Sequence, residues 1–167
     1  MTTIRTAATC AAVIGALAVN AAVADDAAMR GKYLVTLMSC TDCHTPGYFL
    51  GKPDMARYLG GSDVGFEIPG LGYFYGPNLT PDKETGIGGW SEDEIVATLR
   101  TGQRPDGREL APVMPWRAYA SLTDEDAHAI AAYLKSLPAV NNKAPGPFGP
   151  TEKPTALFHR ITPPPGQ

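Results

Sequence analysis

Residues 40–44 read Cys-Thr-Asp-Cys-His, and this pentapeptide restricts the fold more than any other part of the sequence. Two thiols stand two residues apart, with an imidazole directly after the second. Three chemistries use that arrangement. A structural zinc site needs four ligands, yet His128 and His159 stand alone and there is no second cysteine pair. A thioredoxin-type dithiol sits between a strand and a helix in an α/β pattern, whereas here a helical stretch precedes the motif and a Pro/Gly-rich loop follows it. Covalent haem attachment remains. Cys40 and Cys43 add to the two vinyl groups of one porphyrin, and His44 reaches the iron from the same side.

Residues 1–24 have the form of a secretory signal peptide: one Arg, no acid, a run of small apolar residues, and the cleavage sequence Ala22-Val23-Ala24 ahead of Asp25-Asp26. They are set aside from the fold. The apolar run is too short, and its side chains too small, for a membrane span. No stable transmembrane anchor is therefore expected after cleavage. Cys10 lies ahead of the most apolar part and not at the cleavage point, which argues against a lipid-modified cysteine. The expected location is the bacterial periplasm, where a bare vicinal cysteine pair would tend to oxidise. Net charge is −3, and no Lys/Arg run exists to neutralise phosphates, so nucleic acid is not an expected partner.

The expected fold is mainly α, with three or more helices and long loops wrapped around one covalent haem. Residues 25–138 form this domain, and 139–167 form a Pro-rich C-terminal tail. The length suits one ordinary domain. The first helix runs from about Ala27 to Met38, with Tyr33, Leu34 and Leu37 on its apolar side and Gly31 open to close approach. The second starts at a capping box, Ser91-Glu92-Asp93-Glu94, carries Ile95, Val96 and Leu99, and ends at Gly102. The third is capped by Thr123, has three acids in its first turn, buries Ala127, Ile130, Tyr133, Leu134 and Leu137, and stops at Pro138. His128 falls off that stripe and reads as an exposed histidine.

Residues 45–90 form a loop too long for a domain with an all-polypeptide core. A haem resolves the conflict by supplying core that the loop wraps. Phe49, Leu50, Phe66, Ile68 and Phe74 serve either as haem walls or as covers for the helices. Short strand pairing is open around Val64–Gly76, with a Pro-Gly turn in the middle. The tail is not expected to add a folded element. Its Phe148, Leu157, Phe158 and Ile161 point to docking on its own domain, the plainer reading, or on a partner, and His159 reads as solvated.

An iron held by one histidine has an open face, and the sixth ligand decides the task. An open site favours catalysis or gas binding, and a methionine sulfur favours electron transfer. Met29 and Met38 lie on the helix before the motif, where packing is their ordinary role. Met55 lies in a loop. Met114 is flanked by Pro112 and Pro115, which suggests a stiff extended segment able to hold a thioether at a fixed point. From spacing alone, the ligand and packing readings of Met114 stand level.

The order helix, Cys40–His44, Gly76-Pro77-Asn78-Leu79, Met114, helix resembles class I c-type cytochromes. More narrowly, GPNLTPDKETGIGGWSEDEI and LRTGQRPDGRELAPVMPWRAYASLTDEDAHAIAAYLKSLP are similar to cytochrome subunits of bacterial membrane-bound alcohol- and gluconate-type dehydrogenases. The resemblance covers residues 28–138. It implies His44 and Met114 as axial ligands, Pro77 as the carbonyl that accepts from the histidine, and Leu79 packed on the haem face. Trp90, Trp116, Arg117 and Tyr119 become pocket residues near the propionates, and the first and last helices cross near Gly31 and Tyr133. Such dehydrogenase subunits carry three haem motifs, and this sequence carries one, so one haem c per chain is expected. The implied function is one-electron transfer without substrate chemistry, from a dehydrogenase toward an oxidase or another cytochrome of the respiratory chain. The alternative is a haem enzyme or gas-binding sensor with an open sixth position.

Overall fold

Glycine at position 31 decides how the helices meet. The computed structural model describes residues 26–162 and 164, and its first helix, α1, covers 26–37. A Cβ added at Gly31 would lie 1.9 Å from the Ala129 carbonyl oxygen and 2.7 Å from the Tyr133 Cβ. Backbone therefore touches backbone where α1 crosses α5 (Asp124–Ser136), at the expected pair of residues. The same contact corrects the expected face of α1. Leu34 and Val35, three and four residues beyond Gly31, turn inward and are buried, while Tyr33 and Leu37 are 54% and 62% exposed.

Helix α2 (Cys40–His44) follows through Ser39, which adopts left-handed φ. Helix α3 (Glu92–Thr101) starts as expected: Ser91 Oγ accepts from Glu94 N at 3.2 Å, and Glu94 Oε2 accepts from Ser91 N at 2.7 Å. Gly102 closes it with φ 74°. Helix α4 (Trp116–Tyr119) is one turn. Thr123 caps α5 by accepting from Asp126 N at 3.1 Å, and the extended Leu137 ahead of Pro138 ends it. Helices α1, α3 and α5 share one core of Leu34, Val35, Ile95, Val96, Ile130 and Leu134.

The long loop is partly ordered into short elements. Two 3₁₀ turns, Tyr48–Leu50 and Met55–Arg57, precede β1 (Val64–Ile68) and β2 (Gly72–Tyr75). These strands pair antiparallel, with Gly65 opposite Tyr75 and Ile68 opposite Gly72. Gly70 supplies the positive φ (78°) of the turn. The tail then departs from expectation. Residues Leu157–His159 form β3, which pairs parallel to β1, so the sheet order is β2-β1-β3. Tyr75 donates its hydroxyl to the Ala156 carbonyl, and Phe148 exchanges backbone hydrogen bonds with Tyr73. The fold is thus helices plus a small sheet, mixed and not simply α. The alternation in VGFEI and GYFY builds the hairpin, and a tail segment covers its open edge.

Leu59 joins the loop to the motif. It is fully buried with φ 55°, its N–H donates to Thr45 Oγ1 at 3.0 Å, and its carbonyl accepts from Leu79 N at 2.9 Å. Those two bonds hold a conformation that a leucine seldom adopts. Among the described residues, no helix is long and apolar enough to cross a membrane. The expected signal peptide, residues 1–24, lies outside the described residues.

Candidate haem site

One turn of α2 presents Cys40, Cys43 and His44 to a single cavity of about 590 Å³, within the range of roughly 300–1,000 Å³ usual for cofactor pockets. His44 is buried, and its Nδ1 lies 2.8 Å from the carbonyl oxygen of Pro77. That carbonyl can only accept, so Nδ1 carries the proton and Nε2 keeps its lone pair for a metal. Burial holds the imidazole below its ordinary pKa, against the opposing effect of the Pro77 carbonyl, so the ring is neutral. Gly76 allows the approach. A Cβ there would lie 1.7 Å from the Cys43 carbonyl oxygen and 3.3 Å from His44 Nδ1. The backbone of the motif is tied down as well, since the His44 carbonyl accepts from Gly61 N at 2.8 Å.

The cysteines are not poised as a redox pair. Burial pushes the Cys40 thiol up to about 11 and raises Cys43 too, whereas reactive dithiols have depressed values. Among the described residues, no three His, Cys, Asp or Glu side chains converge on a possible metal position. The donor set suits a macrocycle that brings its own equatorial nitrogens and needs from the protein only axial donors and attachment points.

Met114 lines the same cavity as His44, as do Pro77, Leu79, Trp90 and Tyr119. The local backbone differs from the expected extended form. Met114 N donates to Ala111 O at 2.9 Å, closing a turn with Pro112 at its second position, and Trp116 N donates to Met114 O at 2.8 Å. The two prolines stiffen a turn. Met38 also lines the cavity, while Met29 and Met55 are 69% and 60% exposed. Burial, the largest cause, pushes the Tyr119 phenol up to about 12, so it stays a neutral hydroxyl.

Trp116 and Arg117 stand apart from the other expected pocket residues, outside the cavity lining. Helix α4 folds the Trp116 indole back onto Gly102, with the Arg117 guanidinium 4.3 Å from the ring centroid on its exposed side. Trp116 Nε1 is nonetheless buried and, among the described residues, has no hydrogen-bond partner. Phe66 and Phe74 line the cavity, and Phe49 lies behind Phe66, edge-on to it at 5.4 Å. His128 is exposed and bonded to the Asp124 carbonyl and Asp93, and exposed His159 packs against Phe49 and Phe66.

Two arginines of the cavity were not expected from the sequence. Arg104 and Arg108 both line it, and the Arg104 guanidinium lies 5.0 Å from the Trp90 ring centroid. They flank the turn Pro105-Asp106-Gly107, where Gly107 has φ 80°. A Pro-Asp-Gly turn between two arginines is the available signal, because a tight turn returns both to one side. The tail contributes Lys143 to Pro147 to the lining, again from beyond the expected domain.

A neutral, oriented imidazole beside two thiols, with apolar walls and arginines in the lining, suits a haem-binding protein. The chain belongs to the cytochrome c family, whose model matches residues 28–138. It is 39% identical over 145 residues to the cytochrome c subunit of alcohol dehydrogenase (quinone) from Gluconobacter oxydans (strain 621H), an alignment covering 81% of this chain and 28% of that protein. It is 39% identical over 129 residues to the gluconate 2-dehydrogenase cytochrome c subunit of Pantoea cypripedii, covering 74% and 27%. A diheme cytochrome c-type protein of Cereibacter sphaeroides is 42% identical over 116 residues, covering 66% and 36%. The chain thus spans between about a quarter and a little over a third of these relatives.

Proposed function

We propose that this chain is an exported, periplasmic one-electron carrier with one haem c, held through Cys40 and Cys43 and ligated by His44 and Met114. The observation that supports it is that a neutral imidazole with a fixed tautomer and a thioether on a proline-flanked turn line one apolar cavity. When bound, the haem supplies a ferric/ferrous couple. His44 offers Nε2 while its Nδ1–H donates to Pro77, which strengthens its donation to the metal. Met114 offers a soft sulfur, which favours the ferrous state and raises the potential. Leu79, Ile95, Leu99, Ile130 and Leu134 exclude water from the faces of the group. Arg104 and Arg108 bring positive charge to a cavity that must accept two propionates. Keeping both ligands through the redox cycle lets the electron move with little rearrangement.

The domain spans residues 25–138, residues 1–24 direct export, and 139–167 form the tail. Relatives named as dehydrogenase cytochrome subunits support a dehydrogenase as electron donor, with an oxidase or another cytochrome as acceptor in the respiratory chain. The absorption spectrum of the mature protein tests the core of this reading. A weak red ferric band lost in Met114→Ala, with no response of the ferrous protein to carbon monoxide, is the expected result. Ready carbon monoxide binding by the unaltered protein would replace it with an open-site haem enzyme or sensor.

A further inference from the structure

The family match ends at residue 138, yet the chain beyond it reaches into the site. Asn78, next to the carbonyl that orients His44, is 1% exposed and lines the cavity. Its Oδ1 accepts from the Thr80 backbone N–H at 2.9 Å and from the Thr80 hydroxyl at 2.7 Å. Its Nδ2 donates to the Val140 carbonyl at 2.6 Å and to Thr85 Oγ1 at 2.9 Å, with the Asn142 carbonyl at 3.4 Å. The amide orientation is unambiguous, because the Thr80 N–H can only donate and the Val140 carbonyl can only accept. The tail completes the network from its own side. Val140 N donates to Thr80 Oγ1 at 3.0 Å, and Asn142 N donates to Thr85 Oγ1 at 3.1 Å. The Asn142 side chain donates to the Gly60 carbonyl at 2.8 Å and accepts from Arg57 at 3.2 Å.

This network ties residues 78–85 to 140–142 at the buried Asn78 amide, and the Asn142 side chain adds residues 57–60. Gly60 and Gly61 lie against Val140 and Ala144, each of which a Cβ on the glycine would meet at 3.1 Å. Gly61 N in turn donates to the His44 carbonyl. Residues 143–147 then continue along the cavity wall. The tail therefore bears on the axial histidine by two routes, through Asn78 to Pro77 and through Gly61 to His44 itself.

We infer that residues 139–148 are a strap that fixes the orientation of His44 and the solvent access of the haem, with Asn78 as the positioning residue that couples strap to ligand. The inference rests on His44 as the iron ligand. A satisfied buried network resists rearrangement, and loss of one member leaves the others unpaired. Thr80 and Asn142 lie outside the cavity lining, so altering either one acts on the haem only through positioning.

The test uses the full chain as holoprotein, with Thr80→Val and Asn142→Ala compared with the unaltered protein. The readouts are the midpoint potential and the ferric haem-methyl NMR shifts, whose spread reports the plane of the axial imidazole. Both variants are expected to change the shift pattern and lower the potential, with Thr80→Val the larger because its hydroxyl bonds both the Asn78 side-chain oxygen and the Val140 N–H. Asn142→Ala, on the outer side of the network, keeps the test open if the buried Thr80 variant yields no holoprotein. Variant holoprotein with the wild-type potential and shift pattern would overturn the strap alone. An unaltered chain that carries no covalent haem would overturn the reading beneath it as well.

Discussion

His44 Nδ1 lies 2.8 Å from the Pro77 carbonyl oxygen, 33 residues further along the chain. A proline donates no backbone N–H and has a restricted φ, so its carbonyl is a stiff acceptor. The contact depends on Gly76, the residue just before. With a Cβ 1.7 Å from the Cys43 carbonyl, Gly76→Ala must push the Pro77 loop off the motif. Holoprotein yield, read by haem staining and the Soret band, is expected to fall by at least about tenfold, since backbone overlap has no side chain to give way. A normal yield with an unchanged spectrum would show that the loop closes on the motif in some other way.

The crossing of α1 and α5 is a second place where one methyl group decides. In Gly31→Ala the new carbon meets the Ala129 carbonyl oxygen at 1.9 Å, so the helices must separate. A loss of about 2–3 kcal/mol is expected, or a melting point lower by roughly 10 °C, measured by circular dichroism on the ferric protein. Tyr33→Ala, on the exposed face of the same helix, should leave the melting point close to wild type.

That contrast also marks what the sequence made legible. The Ser91–Glu94 box and the α5 stripe are local signals, and the structure has each where the residues place it. Leu34 of the expected α1 face is buried while Tyr33 and Leu37 are exposed, because all three offer apolar surface and only the partner backbone at Gly31 selects the side that packs. Strand β3 is three residues long and pairs with a strand far back in the chain. The Arg160–Glu67 ion pair beside it joins positions 93 residues apart, which no local pattern can encode. No role for Arg104 and Arg108 is read from the sequence, because their surroundings come from Trp90 and the cavity, both assembled only in the fold.

His128 gives a pH dependence whose sign is fixed. The Asp124 carbonyl, then the Asp93 carboxylate, raise its pKa above the ordinary value. A group raised on folding contributes its stability below its unfolded pKa and loses it as pH rises through the folded one. The melting-point difference between wild type and His128→Gln should therefore be present at about pH 5 and vanish by about pH 8.5. A difference that grows with pH would contradict the assignment. High salt should reduce the Asp93 part of the effect, because that carboxylate is 91% exposed.

Arg104 tests whether the arginines act on the haem or merely border it. Its side chain is 18% exposed, against 45% for Arg108, and its guanidinium lies over Trp90 at 5.0 Å. Burial, then the neighbouring Arg108, lowers its pKa, yet an arginine stays charged at any working pH. The ferric state carries one more positive charge than the ferrous state. Removing a nearby cation, and leaving a propionate without its partner, therefore stabilises the ferric form. Arg104→Gln should lower the midpoint potential by an amount on the order of tens of millivolts, measured by spectroelectrochemical titration. Arg108→Gln should lower it less, because water screens the more exposed charge. Neutralising a purely peripheral Arg104 would leave the potential unmoved, and a larger effect at Arg108 would reverse the ranking that burial dictates.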